Sequence, residues 1–136
     1  MIKPIMKSEF FLRLPSEDAG PDDAATGQDL LDTLLEHEHE CVGLAANMIG
    51  VRKRIICVKD GNRALLMYNP QILEQVNSYQ TSEECLSLSG ERPCTRYRRI
   101  KVEYLDENFV HRIKNFSGYT AEIIQHEIDH CNGIVI

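Results

Sequence analysis

The segment from Thr120 to Gly133 reads TAEIIQHEIDHCNG and has the features of a helix that carries chemistry. Thr120 is a suitable N-cap, Glu122 falls in the first turn, and Asn-Gly is a common helix end. The helix contains an H-E-x-x-H motif, from His126 to His130. Because residues four apart share a helix face, both imidazoles can bind one metal ion, with Glu127 close to a water on that ion. The same pattern also fits two surface histidines on a solvated helix.

A candidate for a third metal ligand lies upstream, in the polar stretch Thr81-Ser82-Glu83-Glu84-Cys85-Leu86-Ser87. The thiolate of Cys85 would complete a site with His126 and His130. Three protein ligands leave one tetrahedral position for water, which is the arrangement of a catalytic metal site. The remaining histidines lie among charged residues and are expected to be solvated: His37, His39 and His111.

Apolar spacing in the rest of the chain predicts an α+β fold. Four leucines at helical spacing predict a helix from Gln28 to about Glu40, after a turn-rich loop from Ala19 to Gly27. Two hairpins are predicted, one from residues 54–58 and 64–68 and one from residues 99–105 and 109–113. A further extended piece is predicted at residues 71–76. Asn69-Pro70 is expected to stop the first hairpin. We therefore expect antiparallel β-strands packed around the C-terminal metal-binding helix.

Length and composition exclude several classes of protein. With 136 residues, 43% hydrophobic and 26% charged, the chain suits one domain over residues 1–136. The net charge of -6 disfavours nucleic-acid binding, since the basic residues cluster only around Arg96 to Lys101. Met1 to Leu14 lacks the apolar run of a signal peptide, and no window approaches the roughly 20 apolar residues of a membrane span. A cytoplasmic protein with no membrane association is expected.

The number and spacing of the cysteines agree with a cytoplasmic location. The cysteines are odd in number and irregularly spaced, which argues against a disulfide framework: Cys41, Cys57, Cys85, Cys94 and Cys131. Small buried apolar residues are the ordinary interpretation of such cysteines. Only the neighbours of Cys85 suggest another role.

Three stretches resemble, in order, the signature motifs of the peptide deformylases. They are Gly43-Leu44-Ala45-Ala46, Glu83-x-Cys85-Leu86-Ser87 and Gln125-His126-Glu127-Ile128-Asp129-His130. The sequence between the motifs is similar too. Gly50-Val51-x-Lys53-Arg54-Ile55 follows the first motif, and Tyr68-Asn69-Pro70 precedes the second. The resemblance extends from about Leu30 to the C-terminus.

This resemblance implies a peptide deformylase fold and a metal-dependent amidohydrolase that acts on a linear amide. The implied reaction removes the formyl group from N-formylmethionine of newly synthesised bacterial chains and releases formate. The implied cofactor is one divalent metal ion, Fe²⁺ in the native enzyme, with Zn²⁺, Ni²⁺ or Co²⁺ as alternatives in purified protein. The partners would be N-formylmethionyl peptides of nascent chains, which the protein could bind at the ribosome.

Position by position, the resemblance implies specific roles in the chemistry. Cys85, His126 and His130 would hold the metal. Glu127 would be the general base and acid, and the backbone N–H of Leu86 would belong to the oxyanion site. Apart from the resemblance, Asp129 is the best candidate for a carboxylate that orients a ligand or pairs with an arginine, and a solvated helix carboxylate is nearly as good an interpretation.

The resemblance also implies residues that bind the substrate. The peptide would contact Val42, Gly43 and Arg92, and Ile123 would help to wall the methionine pocket. Met48 stands where the family has a glutamine whose amide would donate to the oxyanion, and a thioether cannot donate. We therefore expect weak deformylase activity.

Two further positions depart from the family pattern. Cys41 and Glu84 each replace a motif glycine, at places that would affect loop geometry or the mouth of the site.

Two other functions compete with the deformylase hypothesis. An H-E-x-x-H motif also serves metallopeptidases, although these usually take a third ligand downstream and only six residues follow His130 here. Alternatively, the chain would keep the fold and the metal but lose useful turnover, and act as a binding module at nascent chains. The substitutions at Cys41 and Met48 favour that second alternative over the first.

Overall fold

The structure is a computed structural model that describes residues 1–136. Its centre is one antiparallel sheet of five strands in sequence order: β1 (Gly43–Ala45), β2 (Ile55–Asp60), β3 (Arg63–Cys85), β4 (Leu88–Leu105) and β5 (His111–Ser117). Three α-helices accompany it: α1 (Glu9–Leu12), α2 (Ala24–Glu36) and α3 (Gly118–Cys131). Two short 3-10 helices span Pro21–Asp23 and Ala46–Ile49. The predicted α+β class, with antiparallel strands around the C-terminal helix, is confirmed.

The long hairpin of β3 and β4 is the main difference from the predicted strands. The prediction that Asn69-Pro70 stops the first hairpin is wrong, because β3 continues to Cys85. A register shift between Tyr68 and Gln71 accommodates the proline, and Asn69 takes a positive φ of 54° there. The Asn69 side chain also exchanges two hydrogen bonds with the backbone of Ala19, at 2.7 and 2.9 Å. The bulge therefore holds the N-terminal segment against the sheet.

Helix α2 lies earlier in the chain than predicted. It begins at Ala24 rather than Gln28, because the 3-10 turn Pro21–Asp23 leads directly into it, and it ends at Glu36 rather than Glu40. Leu30 and Leu34 are fully buried, as the spacing predicts, whereas Leu35 is 46% exposed. The predicted loop is thus correct only for its first residues. Helix α1 was not predicted, because it is only one turn long.

Helix α3 ends where the sequence predicts but begins earlier. Its N-cap is Ser117, without a side-chain capping bond, so the prediction of Thr120 as N-cap is wrong. The Thr120 hydroxyl instead donates to Asp60 at the end of β2, at 2.9 Å. Gly133 follows the helix with a φ of +74°, the left-handed conformation that favours glycine. The helix packs on β1, β2 and β4.

One hydrophobic cluster of 25 buried residues lies between the sheet and helices α2 and α3. One domain over residues 1–136 stays a prediction. All five cysteines are free, as expected, and three of them are buried: Cys57, Cys85 and Cys131. None of the helices has the length and apolar character required to cross a bilayer.

The contact between Gly27 of α2 and Tyr68 of β3 leaves no room for a side chain. A Cβ at Gly27 would overlap the Tyr68 hydroxyl and lie 2.8 Å from its Cζ. We predict that Gly27→Ala lowers the free energy of unfolding by about 1–3 kcal/mol, since overpacking outweighs the helix propensity of alanine. Urea denaturation measures this. Gly20→Ala is the control, because a Cβ there meets nothing within 4 Å. Equal stability of the two variants would contradict the close packing of α2 on β3.

Candidate active site

The three predicted metal ligands converge beneath the end of the long hairpin. Cys85 is the last residue of β3, and His126 and His130 lie one turn apart on the buried face of α3. Their ligand atoms all lie within 4.8 Å of one another, and Cys85 Sγ is 3.3 Å from His130 Nε2. A thiolate and an imidazole bound to one tetrahedral ion would be about 3.5 Å apart. The spacing and the donor types therefore fit a single divalent metal ion.

Gly43, the first residue of the first motif, leaves no room for a side chain. A Cβ at Gly43 would lie 2.7 Å from Ile123 Cγ2 and 2.9 Å from Glu127 Oε2. Only glycine allows β1 to approach α3 this closely. The contact closes one side of the site and brings the backbone of β1 next to Glu127.

Glu127 is a buried carboxyl with one oxygen free of partners. It is 4% exposed, and its Oε1 forms no hydrogen bond. Burial raises the pKa of Glu127 from 4.5 to about 7, because it disfavours the charged carboxylate. A carboxyl whose pKa lies near neutrality can both accept and return a proton, which suits general acid–base catalysis.

A buried polar chain supports His126 from behind, and the sequence did not reveal it. His126 Nδ1 lies 2.8 Å from Glu83 Oε1, so the other ring nitrogen is left for a metal. Arg96 donates to Glu83 at 2.7 Å and to Asp129 at 2.7 Å. Asp129 therefore pairs with an arginine, which was one of its two predicted roles. Arg96 is 4% exposed, although three other basic residues follow it within five positions.

A signal for Glu83 was present in the sequence. Glu83 and Cys85 are two residues apart near the end of a strand, and alternate residues of a strand share one face. No comparable signal existed for Arg96, because its partners come from another strand and from α3.

The pKa values of the cluster follow from this network. Burial alone would raise the pKa of Glu83, but hydrogen bonds from His126 and Arg96 lower it far below its ordinary value. Burial would lower the pKa of His126, but contacts with Cys85 and Glu83 raise it to about 10. Burial and repulsion from His126 lower the pKa of His130 to about 3. Glu83 thus carries the negative charge that holds the His126 imidazolium in place, and His126 must lose one proton when it binds a metal, whereas His130 is already neutral.

A cavity of about 450 Å³ opens onto this cluster. Beside Cys85, His126 and Glu127, five of the predicted residues line it: Val42, Gly43, Met48, Leu86 and Ile123. Cys41 and Glu84, the two departures from the motif glycines, line it as well. Arg92 does not, because its guanidinium pairs with Glu9 at 3.1 Å.

Comparisons with known proteins agree with this geometry. The family model described as polypeptide deformylase matches residues 4–136. The chain belongs to the peptide deformylase family. A peptide deformylase from Clostridium beijerinckii is 52% identical over 136 residues, which is 100% of both proteins. The predicted family membership is confirmed.

Solved peptide deformylase structures also match the fold. A class I type b peptide deformylase from Acinetobacter baumannii, crystallised with Met-Ala-Ser, superposes with a TM-score of 0.89 at 29% identity, covering 99% of this chain and 97% of that one. A peptide deformylase from Thermus thermophilus gives a TM-score of 0.89 at 33% identity, with 99% and 84% coverage. The predicted deformylase fold is therefore confirmed.

Met48 occupies the place of the glutamine in the first deformylase motif. It is 1% exposed in the 3-10 helix, and its Sδ accepts the Ala45 N–H at 3.4 Å. The neighbouring Asn47 cannot substitute for the missing amide. Its NH₂ group donates to the carbonyl oxygens of His130 at 2.9 Å and Leu12 at 3.4 Å, away from the cavity.

We predict that Cys85→Ala, His126→Ala and His130→Ala each abolish tight binding of one divalent metal ion per chain. Glu127→Ala should keep the metal, because Glu127 acts on water and not on the ion. Metal content after gel filtration, with circular dichroism to verify folding, measures both outcomes. Stoichiometric metal in one of the first three variants would remove that residue from the ligand set. A folded but metal-free Glu127→Ala protein would contradict the division of roles.

The network behind His126 generates a second prediction. Glu83→Gln should weaken metal affinity about 10- to 100-fold, because the imidazole loses its charged partner and Arg96 loses one of two carboxylates. Competition against a chelator measures the affinity. Glu84→Gln is the matched control, since Glu84 is the next residue but has no hydrogen bond to a ligand. Equal losses in both variants would show that the charge of the cavity, and not the contact with His126, sets the affinity.

Proposed function

We propose that this chain hydrolyses the formyl group of N-formylmethionyl peptides, yielding formate and a free N-terminus. The observation that carries the proposal is the position of Glu127. Its carboxyl group has an unpartnered oxygen and a pKa of about 7. It lies beside the cluster of Cys85, His126 and His130, and the chain belongs to the peptide deformylase family. A buried proton acceptor next to three residues that can hold a metal ion suits metal-dependent amide hydrolysis.

In the proposed mechanism each residue has a separate task. A divalent ion held by Cys85, His126 and His130 would supply Lewis-acid activation of the water and of the formyl oxygen. Glu127 takes the proton from the attacking water and delivers it to the departing amine. The N–H of Leu86 donates to the oxygen on which negative charge develops. Lys7 Nζ donates to the Leu86 carbonyl at 2.9 Å, which steadies the turn that carries this residue.

Substrate binding is proposed for the walls of the cavity. Val42 and Gly43 border it on the β1 side, and Ile123, one turn before Glu127 on α3, would contact the methionine side chain. Arg92 would have to leave Glu9 before it could contact a peptide.

The metal and the place of action are also proposals. Thiolate and imidazole donors suit Fe²⁺, and they accept Zn²⁺, Ni²⁺ and Co²⁺ as well. We propose Fe²⁺ as the resident ion, in agreement with the family resemblance. The proposed substrates are new chains, so the proposed location is the cytoplasm, including the ribosome where such chains emerge.

An assay of formate release from formyl-Met peptides, with iron loaded under anaerobic conditions, tests the function. Oxygen is excluded because an iron–thiolate site can be lost by oxidation of Cys85. A deformylase releases formate and leaves internal peptide bonds intact. Cleavage of internal bonds would show a metallopeptidase. Metal-loaded protein that does neither would be the binding module, and both of these results contradict the proposal.

The Met48 substitution generates a prediction about turnover. Loss of one oxyanion donor typically costs about 10²- to 10³-fold in kcat. A glutamine at this position could accept the Ala45 N–H with its oxygen and donate from its NH₂ group into the cavity. Met48→Gln should therefore raise kcat by about 10-fold or more, with a smaller effect on KM, because the contact forms mainly in the transition state.

Met48→Leu is the control for this prediction, since leucine has a similar volume and no donor. Its kcat should match that of the unsubstituted protein. If Met48→Gln leaves kcat unchanged, or Met48→Leu raises it equally, a missing donor at Met48 does not limit turnover.

A further inference from the structure

Leu86 and Met48 line the same cavity but belong to distant parts of the chain. Leu86 lies in the turn that joins β3 to β4, whereas Met48 lies in the 3-10 helix Ala46–Ile49. The proposed oxyanion donor is the N–H of Leu86, and Met48 occupies the second donor position. Donors stabilise a developing charge only when they are held at the correct distance from it. The relative position of these two segments is therefore important for the proposed reaction.

One short stretch of the chain, residues 6–9, contacts both of these segments. The backbone N–H of Met6 donates to the carbonyl oxygen of Met48 at 2.7 Å. The ammonium group of the next residue, Lys7, donates to the carbonyl oxygen of Leu86 at 2.9 Å. Residues 6–9 therefore form a bridging segment between the 3-10 helix and the turn after β3.

The bridging segment is itself anchored at its C-terminal end. Glu9 pairs with Arg92 of β4 at 3.1 Å. The Ser8 hydroxyl accepts the N–H of Phe11 at 3.2 Å and caps helix α1. Leu12, the last residue of that helix, is fully buried. The bridging segment is therefore attached both to the long hairpin and to the hydrophobic core.

Lys7 acts on the turn and not on the reacting atoms. Its side chain is exposed and does not line the cavity. Its ammonium group forms no ion pair, and the Leu86 carbonyl is its hydrogen-bond partner. An exposed charged contact of this kind contributes little to the stability of a fold. Its effect is to fix the orientation of the peptide group between Leu86 and Ser87, through a charge-assisted hydrogen bond.

We propose that the bridging segment sets the distance between the Leu86 turn and Met48, and that Lys7 is a positioning residue for the Leu86 N–H. This inference rests on the proposed deformylase function. A donor that moves away from the developing charge weakens the transition state more than the bound substrate. The effect of Lys7 therefore falls on kcat more than on KM.

The first test measures formate release from amidated formyl-Met-Ala. Lys7→Met removes the ammonium group and should lower kcat about 3- to 10-fold, with KM changed less than about 2-fold. Lys7→Arg should keep at least about half of kcat, because a guanidinium can donate to the same carbonyl. Lys3→Met is the matched control, since Lys3 belongs to the same N-terminal stretch but lies 3.9 Å from Asp29 of α2. An unchanged kcat in Lys7→Met, or an equal loss in Lys3→Met, would overturn the inference.

A double variant tests whether the bridging segment connects the two donor positions. Met48→Gln is expected to raise kcat, and the gain should be at least about 3-fold smaller when Lys7→Met is also present, because residues that share one network are not additive. A gain of the same size in both backgrounds would contradict the link between the two positions.

A spectroscopic measurement separates this inference from the proposed function. In zinc-loaded protein, the ¹⁵N order parameter of the Leu86 amide should fall from about 0.85 toward about 0.6 in Lys7→Met and stay unchanged in Lys3→Met. An unchanged order parameter in Lys7→Met would overturn the positioning role, whatever happens to kcat. Absence of formate with the unsubstituted protein would contradict the deformylase proposal, while the order parameter still tests the position of the turn.

Discussion

The buried arginine Arg96 joins the two elements that carry the metal ligands. It extends from β4 and pairs with Glu83 on β3 and with Asp129 on α3, both at 2.7 Å. Burial of these charges is costly, and removal of one partner from such a network typically costs about 3–5 kcal/mol. The long hairpin is therefore held to the helix in one register, and Cys85 stays next to His126 and His130.

One cavity contains two carboxyl groups in different states, Glu83 from β3 and Glu127 from α3. Glu83 is partnered by His126 and Arg96, and its pKa lies far below the ordinary value. Glu127 lacks a partner for one oxygen, and burial raises its pKa to about 7. One glutamate can thus provide a fixed negative charge while the other exchanges protons. Gly43 allows this arrangement, since a side chain there would overlap Glu127.

The departures from the motif glycines and glutamine all lie in the cavity and not in the metal cluster. Met48, Cys41 and Glu84 line it, while the ligands and the chain of polar contacts behind them are intact. The Cys41 thiol donates to the Gly43 carbonyl at 2.9 Å, and burial raises its pKa to about 12. Cys41 is therefore a neutral wall residue, and the three departures change the walls of the cavity and not the Cys-His-His cluster.

The sequence alone predicted the cluster of Cys85, His126 and His130, the position of Glu127 beside it, and the family, because these depend on local periodicity and on motif order. A four-residue spacing on a helix places His126 and His130 on one face whatever surrounds it. The length of β3 depends on contacts distant in sequence, such as Asn69 with Ala19, and differs from the prediction. Only the tertiary structure showed that Arg96 is buried and that it pairs with Glu83 and Asp129. Charge and burial are set by neighbours from other elements, which local sequence patterns do not encode.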